Sequence, residues 1–275
     1  MMLAVDGAEL FYSTIGSGPP CIVLSAIGTK PYERMTPVAL RERLRLVYVD
    51  LRGSGRSTGD PASLTFDSLA SDLEAIRTDL GVERVAVLGH SVLGILAIEY
   101  GRRHPGSVSH VIVVGTPPFW DLGRLATETL AFFESDASDA RKRVLRENLA
   151  RLPAGASAGS TMLAQTPLRF FDPGVDAAPL FAEAEFRPAL LQHIMGTLAR
   201  GWDVRSGAAS LSAPTLVAHG RYDYTVPWRW WEGVAQRLPR TALRVFERSG
   251  HQPFVEEPDL VASTVWAWMA DTDVA

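Results

Sequence analysis

A serine, a carboxylate and a histidine stand in this chain where acyl transfer could use them. Ser91 lies in Gly89-His90-Ser91-Val92-Leu93-Gly94, between a β-branched apolar run and an apolar helical pattern. A serine hydroxyl becomes a useful nucleophile when a tight strand-to-helix corner holds it out beside a base and near amide donors. Gly89 gives such a corner room, and the following helix offers its N-terminal amides and positive dipole end to a developing oxyanion. Alone, the fragment is equally compatible with an ordinary strand-to-helix turn. Two later fragments add to it. Gly220-Arg221-Tyr222-Asp223-Tyr224-Thr225-Val226-Pro227 puts a carboxylate on a turn just after one apolar run, and Ser249-Gly250-His251-Gln252-Pro253-Phe254 puts an imidazole just after the next. The order Ser91, Asp223, His251 is the one expected for a nucleophile on this corner, with His251 as base and Asp223 orienting it. Asp121 is the alternative carboxylate, but it opens a different segment beyond Pro117-Pro118.

The elements that must position these residues read as βα units around a mostly parallel sheet. Leu10 to Ile15 follows the turn at Asp6-Gly7 as a hairpin arm. Cys21–Leu24, 45–50, 84–89 and 111–114 are short apolar runs bounded by turn residues, as buried parallel strands should be. Leu69, Leu73, Ile76 and Leu80 repeat at helical spacing before Gly81, and 92–100 is apolar on nearly every face, which predicts a buried helix. From Phe119 to about Ser206 the periodicity is helical with no convincing strand, and strand character returns at 214–219 and 242–246. The expected organisation is one α/β core, 1–118 and 207–275, interrupted by a helical lid at 119–206.

The 275 residues are 47% hydrophobic and 21% charged with a net charge of -4, a globular composition that excludes disordered and collagen-like readings. A slightly acidic chain without a basic block argues against nucleic acid as a partner. Cys21, the single cysteine, rules out an intrachain disulfide and a multi-cysteine metal site. No window reaches 18 uninterrupted apolar residues and the N-terminus lacks a signal-peptide pattern, so the expectation is a cytoplasmic protein without a membrane span. His104, His110, His193 and His219 show no metal-ligand spacing and are read as solvated or structural.

The three fragments together resemble the α/β-hydrolase family over nearly the whole chain apart from the insertion. Asp50-Leu51-Arg52-Gly53-Ser54-Gly55-Arg56-Ser57 is similar to the turn after an early strand in proline iminopeptidases and their relatives, where its part here is scaffold. The resemblance implies an oxyanion hole from the backbone amides of Ile27 and Val92 and a pocket that Ser25, Thr29 and His90 could line. Two departures stand out. Leu93 occupies a place where the family usually has glycine, with Gly94 one step later, and Ser25-Ala26-Ile27-Gly28-Thr29 replaces the usual His-Gly pair. That Ser25 to Thr29 stretch is also similar to enol-lactonases of the family.

The expected activity is cofactor-free and metal-free hydrolysis of a small, fairly apolar carboxylic ester or lactone through an acyl-enzyme, with oligomeric state left open. An aminopeptidase of the proline iminopeptidase type or a carbon-carbon bond hydrolase would share the triad. The aminopeptidase would need acidic lid residues for the substrate ammonium, and Glu134, Asp136, Glu183 and Glu185 are the candidates. A protein that keeps the fold but only binds ligand is the rival from another class. Phe132, Phe133, Met162, Phe170, Phe171, Phe181, Phe186, Met195 and Trp202 give the lid an apolar face. Trp228, Trp230 and Trp231 are read as packing the start of a helix after Asp223, and Glu256 as capping or holding the histidine loop.

Overall fold

A computed structural model describes residues 1–207 and 211–273. The expected passage from lid to core at 206/207 abuts 208–210, and 208–210 and 274–275 lie outside the described residues. Eight strands form one sheet: β1 (Met2–Val5), β2 (Ala8–Ile15), β3 (Pro20–Ser25), β4 (Arg45–Asp50), β5 (Val85–His90), β6 (Val108–Val114), β7 (Thr215–Gly220) and β8 (Thr241–Phe246). Their order is β1-β2-β4-β3-β5-β6-β7-β8. The β1–β2 hairpin is antiparallel and β2 joins β4 antiparallel, while every other pairing is parallel.

Every residue of β5 and β7 is buried, which is why both read as unbroken apolar runs rather than alternating ones. Helix Phe66–Asp79 begins in a capping box between Thr65 and Ser68 and gives way to Gly81 at φ +67°. Helix Leu93–Arg103 is buried from Leu93 through Gly101 between β5 and β6. Parallel strands joined by crossovers leave their C-terminal ends on one edge of the sheet, and Ser91, Asp223 and His251 all follow such ends.

Beyond β6 the chain runs through helices Leu122–Asp136, Asp139–Ala150, Ala158–Ala164, Thr166–Arg169 and Pro188–His193 before β7. Its two ends are zipped together: Phe119 bridges Asp203, the Trp120 amide donates to the Trp202 carbonyl at 2.7 Å, and the Val204 amide donates to the Pro118 carbonyl at 2.9 Å. This closed neck lets a helical insertion grow from the sheet without disturbing β6 or β7. One expectation needs correction. Trp228–Trp231 forms a single 3-10 turn, not the start of a helix. The turn is held by burial of Trp231, whose indole N–H donates to the Thr116 carbonyl at 2.6 Å.

Candidate active site

Ser91 is a non-glycine residue at φ +57°, the left-handed region that costs an L-residue about 1–2 kcal/mol. Its surroundings hold it there. Its amide donates to the Val114 carbonyl at 2.8 Å, and its carbonyl accepts from the Gly94 amide at 3.1 Å and the Thr116 hydroxyl at 2.9 Å. The corner is too tight for side chains at two places. A Cβ on Gly89 would lie 2.4 Å from the Leu93 carbonyl oxygen, and one on Gly94 would lie 1.9 Å from Thr116 Oγ1. The Leu93 departure thereby finds its reason: the contact with Thr116 falls on Gly94, while the Leu93 side chain enters the core. Among the described residues the Val92 amide has no hydrogen-bond acceptor, so it is a free donor at the first turn of the helix.

Asp223 and His251 are both buried and joined by a 2.7 Å hydrogen bond in which imidazole Nδ1–H donates to Oδ2. Oδ1 accepts from the Thr225 amide at 2.9 Å, the Thr225 hydroxyl at 2.7 Å and the Val226 amide at 2.8 Å. Burial alone would raise this carboxyl, but His251 and these donors hold it below the usual carboxylate range, so it is charged. The bond to Asp223 fixes the tautomer of His251 and leaves Nε2 as an acceptor. Among the described residues Ser91 Oγ makes no hydrogen bond, a looseness common before substrate binds.

His90 is buried against the histidine loop. Its Nε2–H donates to the His251 carbonyl at 2.9 Å, its ring lies 4.6 Å from the His251 ring, and its Nδ1 faces the Tyr32 hydroxyl at 3.4 Å. Burial, with His251 beside it, pushes His90 down to about 3, so it stays neutral and keeps that donor. Gly115, at φ +56°, backs the pair from the end of β6: a Cβ there would stand 2.8 Å from His251 Nδ1 and 3.3 Å from Asp223 Oδ2.

The loop after β3 gives the two expected oxyanion donors unequal states. Unlike the free Val92 amide, the Ile27 amide donates to Ser25 Oγ at 3.2 Å, and the Ser25 hydroxyl donates to the Gly28 carbonyl at 2.7 Å. Ser25 is fully buried, so its hydroxyl shapes the loop from behind and does not line a pocket mouth. Thr29 is buried too, with its Oγ1 accepting from Arg56. The Ile27 carbonyl accepts from the Glu185 amide at 2.9 Å, which ties the insertion to this loop.

Asp121 caps helix Leu122–Asp136 through the Arg124 amide and lies outside the triad. The four acidic residues an ammonium site would need are committed elsewhere: Glu134 to Lys142, Asp136 to the Tyr224 hydroxyl, Glu183 to Arg34 and Glu185 to Arg187. His110, His193 and His219 bond Thr272, the Leu64 carbonyl and the Thr116 carbonyl, and His104 sits against the Tyr100 ring. Among the described residues no group of three or more His, Cys, Asp and Glu could hold a metal ion, and no helix is long and apolar enough to cross a membrane. Glu256 accepts from the Gly250 and Phe171 amides and so links the histidine loop to the insertion. Gly115 and Arg169, whose carbonyl accepts the His251 amide at 2.6 Å, carry no local sequence signal of their closeness to the triad.

A family model of the alpha/beta hydrolase fold matches residues 24–258. The chain is similar to the AB hydrolase superfamily protein YclE of Bacillus subtilis, 27% identical over 96% of each chain. It is also similar to a pimeloyl-[acyl-carrier protein] methyl ester esterase of Nitrosomonas europaea, 29% identical over 93% of this chain and 98% of the other. The solved proline iminopeptidase of Mycobacterium smegmatis superposes with a TM-score of 0.76 at 20% identity, covering 100% of this chain and 98% of that one, a likeness of fold. With the matched model spanning most of the chain, the protein belongs to the alpha/beta hydrolase family.

Proposed function

We propose that this protein is a serine hydrolase that cleaves a small carboxylic ester or lactone through an acyl-enzyme on Ser91, with residues 119–206 as its lid. The observation that carries the reading is the buried 2.7 Å Asp223–His251 pair following β7 and β8, together with a serine held at left-handed φ on the strand-to-helix corner after β5. Such strain persists only where its surroundings over-determine it, and it concentrates at sites of chemistry.

Ser91 Oγ attacks the carbonyl carbon as His251 Nε2 takes its proton, and Asp223 stabilises the imidazolium that forms. The carbonyl oxygen becomes an oxyanion facing the Val92 amide, joined by the Ile27 amide once that donor turns from Ser25. Collapse expels the alkoxide, which leaves with the proton from His251. Water, activated by the same imidazole, then attacks the acyl-enzyme and restores Ser91.

A relative named for methyl ester cleavage supports the ester reading, while relatives named proline iminopeptidase match over a similar length. Glu134, Asp136, Glu183 and Glu185 already have partners in Lys142, the Tyr224 hydroxyl, Arg34 and Arg187, which weighs against an ammonium site built on them. Stopped-flow mixing with an activated p-nitrophenyl ester tests the proposal. A burst close to one equivalent per protein, absent in Ser91→Ala, is expected; turnover that survives in Ser91→Ala would overturn it.

A further inference from the structure

The segment from Pro167 to Phe171 is clamped from every side. The Arg141 guanidinium donates to the Pro167 and Phe170 carbonyls at 2.7 Å each and also to the Phe171 carbonyl. Glu256 holds the Phe171 amide, the Tyr224 amide donates to the Leu168 carbonyl at 3.0 Å, and the His251 amide donates to the Arg169 carbonyl at 2.6 Å. Gly250 makes the approach possible, since a Cβ there would lie 2.4 Å from that carbonyl oxygen. Arg169 is therefore fixed by its main chain directly against the catalytic histidine.

Its side chain contrasts with Arg141. Three carbonyls satisfy Arg141, whereas among the described residues Arg169 makes one long contact, 3.5 Å to Gln165 Oε1, and its buried Nε has no partner. Arg169 keeps some surface overall, while its Nε is shielded from solvent. The 2.6 Å bond from the His251 amide to its carbonyl places Arg169 among the residues around His251, and burial lowers the pKa of its guanidinium. Among the described residues Asp223 is not its hydrogen-bond or ion-pair partner: Oδ2 pairs with His251, and Oδ1 with Thr225 and Val226. A guanidinium does not deprotonate in a protein, so a shielded one without an anion is costly unless a ligand supplies that anion.

We infer that Arg169 is a substrate-anion subsite, and that the ester or lactone this enzyme takes carries a carboxylate within a few bonds of the scissile carbonyl. This rests on the hydrolase reading above. A planar fork of N–H donors fits a carboxylate in two-point fashion, and the fixed backbone presents that fork without an ordering cost. The same charge would repel a substrate ammonium.

The test compares mono-p-nitrophenyl glutarate with p-nitrophenyl hexanoate, of similar length and without the charge, on the wild type, Arg169→Gln and Arg169→Lys, with melting temperatures alongside. The wild type should favour the glutarate ester. Arg169→Gln should lower the glutarate-to-hexanoate ratio of kcat/KM by about 30-fold or more, chiefly through KM, as expected for loss of a charge-assisted pair, and Arg169→Lys should restore part of it. A purely structural Arg169 would slow both esters in parallel and leave the ratio within threefold, which overturns the proposal; so does a wild type that favours hexanoate. If the wild type cleaves neither ester, the hydrolase reading fails separately, and calorimetry with glutarate still decides. Binding by the wild type that Arg169→Gln abolishes upholds the subsite, and binding that is absent or unaffected overturns it.

Discussion

Gly115→Ala adds one methyl group at the back of the Asp223–His251 pair. The new carbon would start 2.8 Å from His251 Nδ1, 3.0 Å from Cε1 and 3.3 Å from Asp223 Oδ2. Carbon atoms rest about 3.5 Å or more from such neighbours, so the imidazole must retreat by roughly 0.5–0.7 Å. It can do so only by straining the 2.7 Å bond to Asp223 or tilting Nε2 away from Ser91. A displacement near 1 Å at a reacting group costs about 10² in rate, so kcat should fall by about 30- to 300-fold with KM changed only a few-fold. Stability should also fall, because φ at this position is +56° and a left-handed alanine costs about 1–2 kcal/mol. Gly81→Ala separates the two effects: Gly81 has φ +67° but nothing within 4 Å of an added Cβ. Steady-state kinetics and thermal melts of both variants form the assay. Full activity in a folded Gly115→Ala protein, or an equal loss in Gly81→Ala, would refute the reasoning.

Four further outcomes follow from the same structure. Asp223→Asn should lower kcat by about 10⁴ through the wrong imidazole tautomer. Asp121→Asn should keep near-normal turnover because Asp121 only caps a helix; the reverse pattern in steady-state rates would move the acid to Asp121. Ser25→Ala should change kcat by less than tenfold, since removal of a true oxyanion donor costs about 10²–10³; a loss of that larger size would make the hydroxyl itself a donor. Burial pushes Glu256 up to about 7 against the pull of the Gly250 and Phe171 amides. The fold therefore holds this proton where the unfolded chain has lost it, and stability from this group is present at low pH and declines between about 4.5 and 7, by up to about 3 kcal/mol. Melting temperatures from pH 5 to 8 should decline less steeply in Glu256→Gln, and parallel curves would contradict this origin.

The sheet was legible because its central parallel strands are buried on both faces and so appear as short unbroken apolar runs with turn residues between them. The placement of Ser91, Asp223 and His251 was legible for a related reason, each lying in a fragment at the exit of its own strand. What escaped depends on contacts between distant segments. Arg169 touches His251 only because the insertion folds back over Gly250, and nothing in residues 165–171 announces that. The tryptophan cluster at 228–231 looked like a helix start because burial of Trp231 against Thr116 leaves no mark on local periodicity. Gly115 carries no local sequence signal, yet its missing side chain makes the space for the Asp223–His251 pair.

The central claim is that Ser91 is the nucleophile, and covalent labelling tests it most directly. The protein is treated with a fluorophosphonate, digested and mapped by mass spectrometry, with Ser91→Ala in parallel. One adduct per chain on Ser91, with loss of ester hydrolysis in step with labelling and no adduct in Ser91→Ala, is the predicted result. An adduct on another residue, or an active enzyme that takes no label, would contradict it.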